Sequence, residues 1–245
     1  MSTIAVSSFH NPITMKTFYF LAIGLLSGTA IAQNISATEL LEKTMEYHDP
    51  QGNWDSFNGT FKVEMDMPEK PERKSTITIN LREQYFNLSE MREGKESFRE
   101  VNGEDCRFSD PDGAVVASKI TDEQCERSVM MKNYYTYLYG LPMKLKDPGT
   151  ILDPVVKMIK FKGKEYLVLR VTYDEAVGSD IWQFYFNPET YAMEVYQFFK
   201  GEDEKTGEYI LLSDVLEVNG ILMPKDRAWY YNKDNEYLAT DRLVD

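Results

Sequence analysis

The chain has 245 residues, with 27 Lys and Arg against 40 Asp and Glu, for a net charge of −13. That balance excludes nucleic acid and anionic membrane surfaces as partners, because both demand a basic footprint. The length suits one domain with a sizeable core, and no Pro-, Gly- or Ser-rich linker divides it.

Lys16 precedes an apolar run over residues 17–26, and small residues then end in Ala30-Ile-Ala32 before Gln33. This is the pattern of a signal peptide with an A-x-A cleavage site, so residues 1–32 are expected to be removed after Ala32. The run is shorter than the ~20 residues of a spanning helix, so no stable membrane anchor is expected. Export to the periplasm or the extracellular space follows. Met15 sits beside Lys16 and competes with Met1 as the true start. Lys16 is the one charged residue in the removed segment, so residues 33–245 carry 26 basic against 40 acidic side chains and form the single expected domain.

Ser36-Ala-Thr-Glu39 is a capping-box pattern, and Ala37, Leu40, Leu41, Thr44, Met45 and His48 recur at helical spacing behind it. One amphipathic helix is expected there, broken by Asp49-Pro-Gln-Gly-Asn53. A first strand is expected over 54–67. The alternating Ser75-Thr-Ile-Thr-Ile-Asn-Leu81 is a second, and shorter strands follow near 84–88, 97–101 and 106–109. After the turn Asp110-Pro-Asp-Gly113 the strand spacing stops.

Thr121-Asp-Glu-Gln124 is a second capping box, predicting a helix through Cys125, Val129, Met130, Tyr134, Tyr137 and Leu138 that ends near Gly140-Leu-Pro142. Residues 141–151 are expected to be loop. Cys106 and Cys125 are the two cysteines of the chain. In an exported protein they most simply form one disulfide, closing a loop of about 20 residues and contributing ~3 kcal/mol. It would staple the second helix to the sheet.

From Val155 onward strands return in hairpins. Lys162-Gly163 turns Val156 and Met158 back against Leu169 and Leu167, and Asn219-Gly220 pairs Leu216 with Met223. If Asn187-Pro-Glu-Thr190 is a turn, Phe186 faces Tyr191, Phe184 faces Met193 and Trp182 faces Val195, which leaves one wholly apolar face. About ten or eleven strands against two helices, without a βαβ rhythm, make the class antiparallel α+β.

The enzyme patterns tested are missing. There is no G-x-S-x-G, no H-E-x-x-H and no phosphate-cradling Gly loop. The reading is therefore a non-enzyme without cofactor. Cys106, Cys125 and His48 have neither the number nor the spacing of a zinc site, so no metal is expected. Asp110-Pro-Asp-Gly113 begins like a calcium loop but lacks the downstream Glu. The acidic pairs Asp203/Glu204 and Asp110/Asp112 lie in turns, and a carboxylate-based hydrolase is the least favoured alternative. His48, followed by Asp49, is the candidate polar site, against the plainer role of bonding the last carbonyls of its helix.

The candidate ligand wall is Val156, Met158, Leu167, Leu169, Trp182, Phe184, Phe186, Met193 and Val195. Met130, Tyr134, Tyr137 and Leu138 of the inserted helix would lie over it as a lid, since a Met/Tyr face repacks readily against varied apolar ligands. Ordinary core packing is the alternative for each of them.

The phrases Tyr47-His-Asp-Pro-Gln-Gly-Asn-Trp54, Tyr139-Gly-Leu-Pro-Met-Lys-Leu-Lys-Asp-Pro-Gly149 and Asn187-Pro-Glu-Thr-Tyr191 are similar to a secreted branch of the LolA/LolB-like superfamily of periplasmic lipoprotein and lipid carriers. That resemblance spans residues 33–245. It implies a curved half-barrel sheet covered by helices around an apolar cavity. The expected function is then an exported binding protein for a lipid, acyl chain or other apolar small molecule. An envelope protein-interaction module with a packed interior, docking another envelope protein, is the alternative.

Overall fold

Ser36 opens the first helix, its side-chain oxygen accepting the N–H of Glu39, and α1 (Ala37–His48) follows as expected. Its face of Ala37, Leu40, Leu41, Thr44 and His48 is buried. The computed structural model describes residues 35–244; the expected signal peptide and both candidate starts lie outside the described residues.

The helix stops at Asp49, whose two carboxylate oxygens accept the N–H groups of Asn53 and Trp54. A short 3-10 turn over Trp54–Ser56 takes the place of the first residues of the expected strand. Six strands then run as a meander: β1 (Asn58–Met67), β2 (Lys70–Asn80), β3 (Tyr85–Arg92), β4 (Lys95–Asn102), β5 (Asp105–Ser109) and β6 (Val116–Lys119). The second helix, α2 (Glu126–Gly140), precedes eight more: β7 (Thr150–Leu152), β8 (Lys157–Phe161), β9 (Lys164–Tyr173), β10 (Asp180–Phe186), β11 (Met193–Lys200), β12 (Glu208–Val218), β13 (Ile221–Tyr231) and β14 (Tyr237–Val244).

All fourteen strands belong to one antiparallel sheet in the order β6-β5-β4-β3-β2-β1-β14-β13-β12-β11-β10-β9-β7, with β8 also paired to β9. The count exceeds the expected ten or eleven. β6 follows the expected turn in a stretch given no element, and β7 lies at the end of the expected loop, both being too short to show an alternation. Because β1 and β14 pair in the middle, the two meanders end at opposite edges, and the chain must travel from one edge to the other between β6 and β7. The segment carrying α2 makes that crossing.

The crossing requires a curled sheet. Near its start α2 is tied to β5 by the disulfide Cys106–Cys125, with Cα atoms 6.2 Å apart. Twelve residues later Tyr137 reaches β9 through a hydroxyl–hydroxyl hydrogen bond to Tyr173. Those strands are ten places apart in the sheet order, ~48 Å along a flat sheet. Twelve helical residues cover only ~18 Å. The expected half-barrel satisfies both distances.

Two local expectations are overturned. The Thr121 capping box does not form: Asp122 accepts from Ser118 and from the Lys119 N–H instead, and no side chain caps α2. The β10–β11 register also differs. Residues 187–192 form a wider loop, closed by hydrogen bonds from Asn187 N to Ala192 O and from Tyr191 N to Asn187 O. A bulge between Tyr185 and Phe186 then moves the pairing, so that Phe186 faces Met193, Phe184 faces Tyr196 and Trp182 faces Phe198. In the other two hairpins Met158 pairs with Leu167 and Leu216 with Met223 as expected, while Val156, expected against Leu169, lies before β8 and outside its ladder.

The core fills the space between the concave face and the two helices. It includes Leu40, Leu41, Phe57, Phe61, Ile77, Ile79, Phe86, Leu88, Tyr135, Leu138, Phe184, Phe186 and Tyr196. A small second cluster of Tyr166, Val168, Tyr185 and Val195 covers the opposite face of β9–β11.

Candidate functional site

Three phrases singled out in the sequence meet around α1. His48 is buried and bridges two strands: its Nδ1 lies 2.6 Å from Leu222 O on β13, and its Nε2 accepts the Met193 N–H of β11 at 3.0 Å. Burial lowers its pKa to about 4, the bond to Leu222 opposing and the charge of Arg227 adding to the shift. Trp54 packs so closely on Gly140 that a Cβ there would sit 2.1 Å from the indole Cζ2. The Lys43 ammonium lies over the Tyr191 ring. These phrases therefore form a junction that fixes α1 and the end of α2 on the sheet. His48 spends both ring nitrogens on it and bonds distant strands, not the carbonyls of its own helix.

The open site lies at the rim of the half-barrel, where the β2–β3 turn faces the β9–β10 loop beneath α2. It is a half-open cleft of about 1050 Å³. α2 contributes Met130, Tyr134 and Tyr137 to its wall, β10 contributes Trp182, and Ile79, Leu81, Tyr85, Tyr173 and Val177 add to the apolar lining. The Tyr137 ring stands edge-on to Trp182, with centroids 5.7 Å apart, and Trp182 stacks on Phe198 at 5.0 Å. Polar groups make up much of the rest of the lining: Asn80, Gln84, Lys132, Asn133, Thr136, Lys144, Asp147, Ser179 and Asp180.

Burial pushes the Tyr134 and Tyr137 hydroxyls well above their usual range and the Tyr173 hydroxyl up to about 12. These groups therefore stay protonated near neutrality and serve as hydrogen-bond donors and acceptors rather than as bases. Lys144 pairs with Asp147, while burial lowers the pKa of Lys132. Among the described residues, no three His, Cys, Asp or Glu side chains gather into a metal-ligand group.

The sequence-derived wall and lid are only partly brought together. Met130, Tyr134, Tyr137 and Trp182 line the cleft. Leu138, Leu169, Phe184, Phe186 and Met193 are fully packed in the core, and Leu167 and Val156 are half-buried against it. Met158 lies on an edge strand with 56% of its surface exposed, away from the cleft lining. Val195 faces the opposite side of the sheet, because the bulge at Phe186 shifts the register of β11. Ile79, Leu81, Tyr85 and Tyr173 join the lining without a local signal in the sequence. The alternation of residues 75–81 shows that Ile77 and Ile79 share a face, but not that this face turns toward β10.

No curated protein is similar enough to the sequence to count as a match. Among solved structures, a LolA superfamily protein from Nitrosomonas europaea is similar at a TM-score of 0.51, with 12% identity, over 86% of this chain and 92% of that one. A DUF1329 family protein from Desulfovibrio piger is similar at a TM-score of 0.52, with 9% identity, over 85% and 91%. At these identities the likeness establishes the fold, and the LolA-like architecture expected from the sequence is present. Over residues 15–245 the sequence matches one family model, and the chain belongs to that family, described as a family of unknown function (DUF6503).

Proposed function

We propose that this is an exported, single-domain binding protein, cleaved near Ala32, that holds a lipid, an acyl chain or another apolar molecule and carries out no reaction on it. The observation that carries the reading is the half-open cleft of about 1050 Å³ under α2, with Trp182, Tyr137, Met130 and Leu81 on its walls. Its volume stands just above the ~300–1,000 Å³ typical of small-molecule sites, and polar groups beside an apolar wall are the usual way such sites orient a ligand. A Met- and Tyr-bearing helix over the opening suits a ligand of variable shape, because Met side chains repack at low cost. The LolA-like fold is compatible with this reading, and among the described residues no helix is long and apolar enough to cross a membrane.

The test is native mass spectrometry of the protein purified from its own cell envelope. A copurifying amphiphile that is lost from Trp182→Ala protein is the expected result. A protein that carries no lipid and fails to bind any added acyl probe would refute the reading.

A further inference from the structure

The centre of the concave face carries a polar row unlike its surroundings. Cross-strand register aligns Arg73 on β2 with Met65 on β1, Met65 with Asp241 on β14, and Asp241 with Arg227 on β13. Partners in register share a face of the sheet, so two arginines and a carboxylate point together into the interior.

Arg227 is 1% exposed. Its guanidinium lies 4.0 Å from the centre of the Tyr139 ring and donates one hydrogen bond, to Pro224 O at 2.8 Å. Among the described residues no carboxylate comes within ion-pair distance of it, and its Nε–H is unpartnered. The Asp241 carboxylate, on the neighbouring strand, accepts from Trp229 Nε1 through Oδ2 at 3.1 Å, while its Oδ1 completes no hydrogen bond and stands 3.8 Å from Arg73. The buried hydroxyls of Tyr139 and Tyr196 complete no aligned hydrogen bond, although that of Tyr196 lies beside the Arg227 guanidinium.

A guanidinium keeps its charge at every accessible pH, and burying it without a counter-ion is among the costliest arrangements an interior can hold. Water can satisfy idle hydroxyls but supplies no compensating charge. Around Arg227 its own Nε–H and the hydroxyls of Tyr139 and Tyr196 are free to donate, against one idle acceptor in the row, Asp241 Oδ1. Their complement is an acceptor-rich anion. The place is also near the cleft. Tyr196 packs against Trp182, with centroids 6.1 Å apart, and Trp182 is part of the cleft wall.

We propose that Arg227, Tyr139 and Tyr196 form the seat of an oxyanion, the carboxylate or phosphate head of an amphiphile whose apolar part occupies the cleft. The assignment of the tail rests on the apolar-ligand reading above, and the anion seat stands on the interior geometry alone.

The test uses the mature chain at pH 8 and three probes: hexadecanoate, hexadecan-1-ol of equal chain length, and inorganic phosphate. Wild-type protein should bind the acid about tenfold or more tightly than the alcohol, the scale expected of hydrogen bonds to a charged group. Tyr139→Phe and Tyr196→Phe should each reduce that ratio severalfold without lowering the thermal midpoint of the ligand-free protein, since each removes an idle hydroxyl and leaves the ring. Arg227→Gln should abolish the ratio. If that variant does not fold, the two tyrosine variants decide. Phosphate binding that is lost in Tyr196→Phe would support the seat and assign it a free oxyanion. Equal affinity for acid and alcohol, with no phosphate bound, would mean that the cluster holds water only and would overturn the seat while leaving the apolar reading intact. Phosphate bound with neither long-chain probe taken up would keep the seat and overturn the apolar reading.

Discussion

His48 bonds backbone groups 174 and 145 residues away in the sequence, Leu222 O and Met193 N–H. Because Nε2 must accept from an amide, the ring proton sits on Nδ1 and the imidazole is neutral. Protonating Nε2 would set two donors against each other in a buried place, so the pKa falls to about 4. The unfolded chain titrates near 6.5 and binds the extra proton first, so stability falls as the pH drops from about 6.5 to about 4. A shift of that size corresponds to ~3 kcal/mol. We expect wild-type protein to lose about this much more stability than His48→Gln between pH 7 and pH 4, read from urea unfolding at each pH. Parallel pH profiles would remove the role. Gly140 is a second test at this scale. A methyl group there meets the Trp54 indole, so Gly140→Ala should cost ~1–3 kcal/mol as an overpacked contact, and adding Trp54→Phe should restore part of it. Equal unfolding midpoints for Gly140→Ala and wild type would show that the contact yields.

At the scale of elements, α2 is a strap between the two edges of the sheet, and the Cys106–Cys125 bridge fixes its beginning. A cross-link across 19 residues contributes ~3 kcal/mol by limiting the unfolded chain. Replacing both cysteines with alanine should cost about that much in denaturant unfolding. It should also raise amide exchange in α2 above that of the central strands in mass spectrometry. Uniform exchange across helix and sheet would show that the bridge does not hold the strap. Which face of α2 is buried was not legible in the sequence. Its apolar and polar residues do not separate into one stripe, and the buried set proves to be Ser128, Tyr135, Leu138, Tyr139 and Gly140, with Met130, Tyr134 and Tyr137 turned to the cleft. Hairpins were legible where the turn residues state their conformation. Lys162-Gly163 and Asn219-Gly220 all have positive φ, as a tight two-residue turn requires. The 187–192 loop has no such marker, and its bulge reversed the facing of Val195.

Across the whole molecule, the cleft and the outer face of the sheet make different predictions for ligand-linked stability. A ligand that binds the folded state alone adds ~2.7 kcal/mol at a hundred times its dissociation constant. Hexadecanoate should therefore raise the thermal midpoint of wild-type protein. Trp182→Ala should lose most of that rise, because Trp182 lines the cleft. Val195→Ala should lower the starting midpoint and keep the rise, because Val195 packs among Tyr166, Val168 and Tyr185 on the opposite face. Equal loss in both variants would place the ligand elsewhere.

The sequence by itself determined the local decisions: α1 with its Ser36 cap, the alternating strands, the tight glycine turns, the antiparallel class and the two cysteines free to pair. Each of these is written in residues a few positions apart, where periodicity and backbone preference act. Only the tertiary structure decided that β1 pairs with β14, so that α2 must cross the concave face, that Trp182 and Leu81 line one cleft, and that Arg73, Asp241 and Arg227 share one interior row. Those relations join residues far apart in the chain, and they follow from the sheet's order, register and curvature, which no short window of sequence contains.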